Sequence, residues 1–98
     1  MGRKISRKKK GTNFENYVKR KLEFLGYKVF RCSASKPIDL IALSKGEVVL
    51  VECKDYENPP RSGFKTLIEL ANELDVKALA VYKRKNRVVM EWLRTPEN

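Results

Sequence analysis

The chain contains no histidine and only two cysteines, Cys32 and Cys53, which lie 21 positions apart. A zinc centre therefore lacks ligands, because zinc takes imidazole and thiolate donors that this sequence does not cluster. Two isolated cysteines are expected to be reduced thiols of small core residues in a cytoplasmic protein. Long apolar runs are missing as well. The longest aliphatic stretch, Val48 to Val51, is far too short to span a bilayer. Although the N-terminus is basic, no apolar segment follows it, so a cleavable export signal is not expected either. No internal repeat is visible.

Acidic residues are the minority: 12 Asp and Glu face 22 Lys and Arg, for a formal net charge of +10 over 98 residues. That excess calls for an anionic partner, and without a membrane-seeking segment the partner expected is nucleic acid. Much of the charge sits in one place. Arg3, Lys4, Arg7, Lys8, Lys9 and Lys10 crowd the first ten residues, where Met1 and Ile5 are the sizeable apolar groups. Such a segment buries too little surface to fold, so residues 1–11 are read as a flexible basic arm for phosphate contact and residues 12–98 as a single domain. A merely solubilising tail is the alternative for the arm.

Past Gly11, Thr12 followed by Glu15 reads as a helix-opening capping box. Phe14, Tyr17, Val18, Leu22 and Leu25 then recur at helical spacing up to Gly26, a suitable stop. Tyr27–Cys32, Pro37–Leu43 and Glu47–Cys53 read as strands, the last two nearly all apolar on both faces, as central strands are. After the break at Asn58–Arg61, a second amphipathic helix is marked by Phe64, Leu67, Ile68, Ala71 and Leu74, with Ser62 as its cap. Lys77–Tyr82 and Val88–Leu93 complete the set. The expected fold is α/β, in the order α-β-β-β-α-β-β, with a mixed, mostly antiparallel five-stranded sheet flanked by helices.

If Lys45 and Gly46 are the two loop residues of a hairpin, Ser44 faces Glu47 and paired residue numbers sum to 91. Asp39 then faces Glu52, and Lys54 follows two residues later on the same face. Carboxylates directly opposed in a partly apolar sheet repel one another unless a cation lies between them. Hard carboxylate oxygens select Mg²⁺, with Mn²⁺ as a substitute, and such an ion keeps waters that can be activated for attack. Lys54 could orient that water or neutralise a phosphoryl oxygen. The chemistry that follows is metal-dependent phosphodiester hydrolysis. An ordinary salt-bridged strand rim is the competing account of the same three residues, and a non-catalytic nucleic-acid-binding module the competing function. Glu15 on this evidence is either a cap or a third carboxylate.

The stretches Gly11-Thr12-Asn13-Phe14-Glu15, Phe30 to Ala42 and Val51-Glu52-Cys53-Lys54, with the spacing between them, resemble the PD-(D/E)xK nucleases and, within them, the archaeal Holliday junction resolvases. The resemblance implies a restriction-endonuclease-like fold. It implies that Glu15, Asp39, Glu52 and the Cys53 backbone carbonyl surround the metal, that Lys54 is catalytic, that Arg31 is needed for activity, and that Ser35 and Lys36 belong to a substrate-contacting loop. It further implies a homodimer that nicks opposing strands of branched double-stranded DNA; Phe64–Leu74 and Trp92 are candidate contributors to its interface. Two positions depart from the family's pattern: Asn16 replaces a common arginine and Pro37 a glycine.

Removing residues 1–10 is expected to weaken binding to a DNA junction and to flatten its dependence on salt, because fewer counterions are released. Titrations across a series of salt concentrations check this, and an unchanged slope would show that the arm makes no phosphate contact.

Overall fold

A computed structural model describes the backbone of residues 7–32 and 37–96, with side chains described from Asn13 onward. The first helix, α1, spans Arg7–Phe24. Phe14, Val18 and Leu22, spaced four apart, form its buried stripe, as an amphipathic surface helix requires. The helix ends in two reversed hydrogen bonds, from Gly26 N–H to the Glu23 carbonyl (3.0 Å) and from Tyr27 N–H to the Leu22 carbonyl (3.1 Å). Gly26 adopts φ +104° to make them, a conformation that disfavours any residue with a Cβ.

The start of α1 corrects the expectation for the arm. Arg7 to Gly11 are helical, so the helix does not open at Thr12 and the capping box with Glu15 is not formed. Lysine and arginine are good helix formers, and one glycine costs only about 1 kcal/mol. Packing of Phe14, Val18 and Leu22 is therefore enough to carry the helix backward through Gly11. Arg3 and Lys4 lie outside the described residues.

Five strands follow in sheet order β1-β2-β3-β4-β5: Lys28–Arg31, Leu40–Ser44, Glu47–Glu57, Lys77–Arg84 and Arg87–Arg94. Neighbours run antiparallel except β3 and β4, which are parallel. A parallel pair needs a crossover, and the chain supplies one with a 3₁₀ turn, Arg61–Phe64, and helix α2, Lys65–Leu74. Ser62 is not a side-chain cap; its carbonyl accepts the Lys65 N–H as the 3₁₀ turn leads into the helix.

Alternation along the central strands divides the core in two. Val29, Leu40, Ala42, Val49, Val51, Leu79 and Val81 pack with the buried stripe of α1. On the other face Leu50, Ala78, Ala80 and Tyr82 meet Phe64, Leu67 and Ala71 of the crossover. Both faces of β3 are thus covered, which explains why its sequence is apolar without a period.

The hairpin register is the expected one, from Ser44↔Glu47 to Leu40↔Val51, around Lys45 and Gly46, the latter at φ +67°. Strand β2 nevertheless begins at Leu40 instead of Pro37. Pro37 has no N–H to give a ladder, and Ile38 packs on the α2 face instead of sharing the α1 face with Leu40. Strand β3 runs four residues further than expected. Its pairing with β4 slips between Cys53 and Glu57, a bulge whose far end is tied down. The Glu57 carboxylate accepts N–H groups from Lys85 (2.7 Å) and Asn86 (2.9 Å) at the β4–β5 turn, both in the left-handed region.

Gly26→Ala is expected to lower the unfolding free energy by about 1 kcal/mol. An added Cβ would meet nothing within 4 Å, so the penalty is conformational. The check is a lower urea midpoint with an unchanged slope.

Candidate active site

At the mouth of the β2–β3 hairpin the chain enters the sheet through Asp39, which is stitched to both neighbouring strands. Its carbonyl accepts the Cys32 N–H and its N–H donates to the Val51 carbonyl, each at 3.0 Å. Its carboxylate Oδ2 accepts the Cys53 N–H at 2.7 Å. A side chain thus takes the place of a backbone acceptor, and Asp39 is not left to swing on a loop. This also modifies the expected pairing, since the regular ladder stops one residue short, at Leu40↔Val51.

Glu52 and Lys54 alternate with Leu50 and lie on the α2 face. Lys54 Nζ stands 3.1 Å from Glu52 Oε2, and their side chains are only 20 % and 16 % exposed. Burial raises the Glu52 carboxyl above the usual carboxylate range, the Asp39 charge adds to the rise, and Lys54 offsets part of it. The Asp39 charge thus bears on Glu52, although the regular pairing ends at Leu40↔Val51 and does not reach these two residues.

From the α1 face come Glu15, Asn16 and Arg31. Arg31 closes β1 on the side of Val29, and its guanidinium donates to Glu15 Oε1 and to Asn16 Oδ1, each at 2.9 Å. Cys53, next along β3 after Glu52, packs against the core on the α1 face. Burial pushes its thiol far up, the charges of Asp39, Glu15 and Glu52 push it further, and Arg31 pulls the other way. Cys53 is accordingly no thiolate nucleophile. The charges that bear on it are those of Asp39, Glu15, Glu52 and Arg31, all of them residues singled out in the sequence. Glu15 lies inside α1, not at its start, and pairs with Arg31.

The arrangement differs from the expected one in that Asp39, Glu52 and Lys54 do not simply share one face. The site straddles the sheet end, with Glu15 and Arg31 on one side, Glu52 and Lys54 on the other, and Asp39 bonded to the backbone between. Among the described residues no three of His, Cys, Asp or Glu are gathered as a cation cage; Glu15 is engaged by Arg31 and Glu52 by Lys54. The donor chemistry still fits a hard divalent ion. Mutually repelling, partly buried carboxylates are what such a charge relieves.

Ser35 and Lys36 lie outside the described residues, as do the side chains of Arg7, Lys8, Lys9 and Lys10. Asn16 was noticed in the sequence only as a departure; no local signal shows that its amide reaches a guanidinium 15 residues away. Leu67 and Ala71 are buried in their own core and leave Leu74 and Trp92 as the exposed apolar residues of that group. No helix among the described residues is long and apolar enough to cross a membrane.

Residues 6–93 match the family model described as archaeal Holliday junction resolvase (Hjc). The chain is similar to the crossover junction endodeoxyribonuclease Hjc of Methanocaldococcus jannaschii, with 52 % identity over 46 residues. That alignment covers 47 % of this chain and spans about a third, 35 %, of the relative. The fold is similar to that of Archaeoglobus fulgidus Hjc, a Holliday junction resolvase from an archaeal hyperthermophile. The TM-score is 0.64 at 17 % identity, over 85 % of this chain and 70 % of the other.

A raised carboxyl makes a testable statement about stability. Because folding favours the neutral acid of Glu52, its contribution is greatest below the ordinary carboxylate pKa and is lost as pH rises through the higher folded value. Glu52→Gln removes that loss. In chelator, the variant is expected to melt about 1–3 °C above the parent near neutral pH, with the gap closing below the usual Glu range. Melting curves across pH check it; a constant gap would mean that Glu52 ionisation is not its cause.

Proposed function

The chain belongs to the archaeal Holliday junction resolvase family, and from that premise we propose that it cuts four-way DNA junctions by metal-dependent phosphodiester hydrolysis. The observation that carries this reading is Asp39, locked by the Cys53 N–H beside the Glu52–Lys54 pair at one sheet end. A carboxylate fixed by backbone is preorganised for ligation, and an ammonium already held at hydrogen-bond distance from its neighbour is preorganised for a phosphate.

In this reading Asp39, Glu52, Glu15 and the Cys53 carbonyl would hold Mg²⁺, for which Mn²⁺ would substitute. When bound, the ion supplies an activated water and charge for the departing oxygen. Lys54 orients the attacking water and neutralises the phosphoryl oxygen as negative charge builds there. Arg31, anchored to α1 through Asn16, presents its guanidinium to the backbone of the cut strand. Ser35 and Lys36 contact substrate from the loop that precedes Pro37. The basic arm, with Arg3, Lys4, Arg7, Lys8, Lys9 and Lys10, adds phosphate contacts that are independent of DNA sequence.

A four-way junction has two strands to cut, which suits a two-fold homodimer with one site per strand. The protein acts in the cytoplasm, where branched double-stranded DNA arises. A related nuclease acting on another DNA structure shares the chemistry and differs in substrate; competition between junction and duplex separates the two.

With a labelled junction and Mg²⁺, paired nicks on opposing strands are expected, and chelation should abolish them. Asp39→Asn keeps an oxygen for the Cys53 N–H yet loses the charge. It should slow cutting roughly a hundredfold or more while leaving junction affinity in calcium within a few-fold. Undiminished cutting by that variant would remove the mechanism, and binding without cutting by the parent would leave a DNA-binding module.

A further inference from the structure

Lys54 is the one proposed catalytic cation on the α2 face, and its ammonium must be aimed by something other than its own flexible chain. A lysine side chain has four rotatable bonds and a strongly hydrated head group. Here it is 20 % exposed, so its surroundings fix most of its path. Those surroundings are the 3₁₀ turn Arg61–Phe64. Lys54 Nζ lies 5.4 Å from the centre of the Phe64 ring, within range of a cation–π attraction. The ring is itself buried, 3 % exposed, and stands 6.1 Å from that of Tyr82.

Beside that ring stands Gly63, and nothing about its backbone demands glycine, since it is not among the residues with positive φ. What demands it is space. A Cβ placed on Gly63 would lie 3.1 Å from Lys54 Cε and 3.8 Å from both Cδ and Nζ. The first distance is closer than carbon atoms pack, where contacts fall near 3.5–4.0 Å. The lysine stem therefore runs in a channel that exists because Gly63 has no side chain.

We propose that Gly63 and Phe64 are positioning residues for Lys54: the missing side chain of one and the ring of the other hold the ammonium against Glu52. This rests on the functional reading above, in which Lys54 serves the reaction. It assigns a reason for the 3₁₀ turn beyond the crossover, because the turn brings Gly63 and Phe64 over the end of β3 before α2 begins. A methyl group at Gly63 would be relieved cheaply, by shifting the far end of a flexible side chain, so the fold tolerates it. The same shift moves the ammonium away from Glu52, so the reaction does not.

Gly63→Ala, followed by Gly63→Val, tests the proposal with the full-length protein, Mg²⁺ and a labelled four-way junction. Single-turnover cutting is expected to fall about tenfold for alanine and further for valine, with junction affinity in calcium within twofold and the melting temperature unchanged or higher. Placed on Lys54→Ala, Gly63→Ala should add no further loss. Equal cutting by parent and Gly63→Ala, or losses that multiply in the double variant, would overturn the assignment. A parent that leaves the junction whole would overturn the functional reading instead, and the positioning claim is then decided without catalysis. Reductive methylation read by mass spectrometry should label Lys54 several-fold faster in Gly63→Ala, whereas an unchanged labelling rate would overturn the claim.

Discussion

The hydrogen bond from the Cys53 N–H to the Asp39 carboxylate, at 2.7 Å, is the constraint on which the rest of the site depends. It joins the middle of β3 to the residue that leads into β2, where the regular β2–β3 ladder has already stopped. Without it the entry to β2 would leave a partly buried N–H unpaired, at a cost of about 1–3 kcal/mol, and Asp39 would have no fixed direction. With it, one carboxylate both closes the sheet and faces the neighbouring Glu52. Stability and function thus pull on the same oxygen atoms.

Around that bond the protein keeps its charges in pairs. Arg31 holds Glu15 from the α1 face, Lys54 holds Glu52 from the α2 face, and Lys83 stands 2.6 Å from Asp55 Oδ1 just beyond. Partly buried pairs of this kind offset their own desolvation and contribute little net stability. Their effect is on placement: each cation is held beside an acid at a defined position. A chain with a net charge of +10 can spare several cations in this way and still present a positive surface.

The parallel pairing of β3 with β4 is the second organising feature. It forces a crossover, and the crossover brings the 3₁₀ turn and α2 onto the face where Lys54 emerges. The bulge between Cys53 and Glu57, held by Glu57 at the β4–β5 turn, takes β3 out of register with its partner immediately after Cys53, so that Lys54 stands in the irregular stretch. Bulges of this sort re-aim side chains next to functional sites, and here the strand changes course where the acid-to-lysine segment ends.

What the sequence determined by itself was the order of elements and the turn chemistry of the hairpin, though not the helix caps expected at Thr12 and Ser62. Helical spacing from Phe14 to Leu22, five strands in order, and the two-residue turn at Lys45 and Gly46 with its register were all legible, because they depend on neighbours along the chain. Asp39, Glu52 and Lys54 were singled out from that register, Glu15 was left between a cap and a third carboxylate, and Arg31 came only from resemblance to a family. Tertiary structure decided the rest. That Arg7–Gly11 continue the helix, and that the Asp39 carboxylate accepts the Cys53 N–H, are not marked by any local pattern. Asn16 reaches Arg31, and Gly63 makes room for Lys54, through contacts between residues far apart in sequence, and no periodicity encodes a contact of that kind.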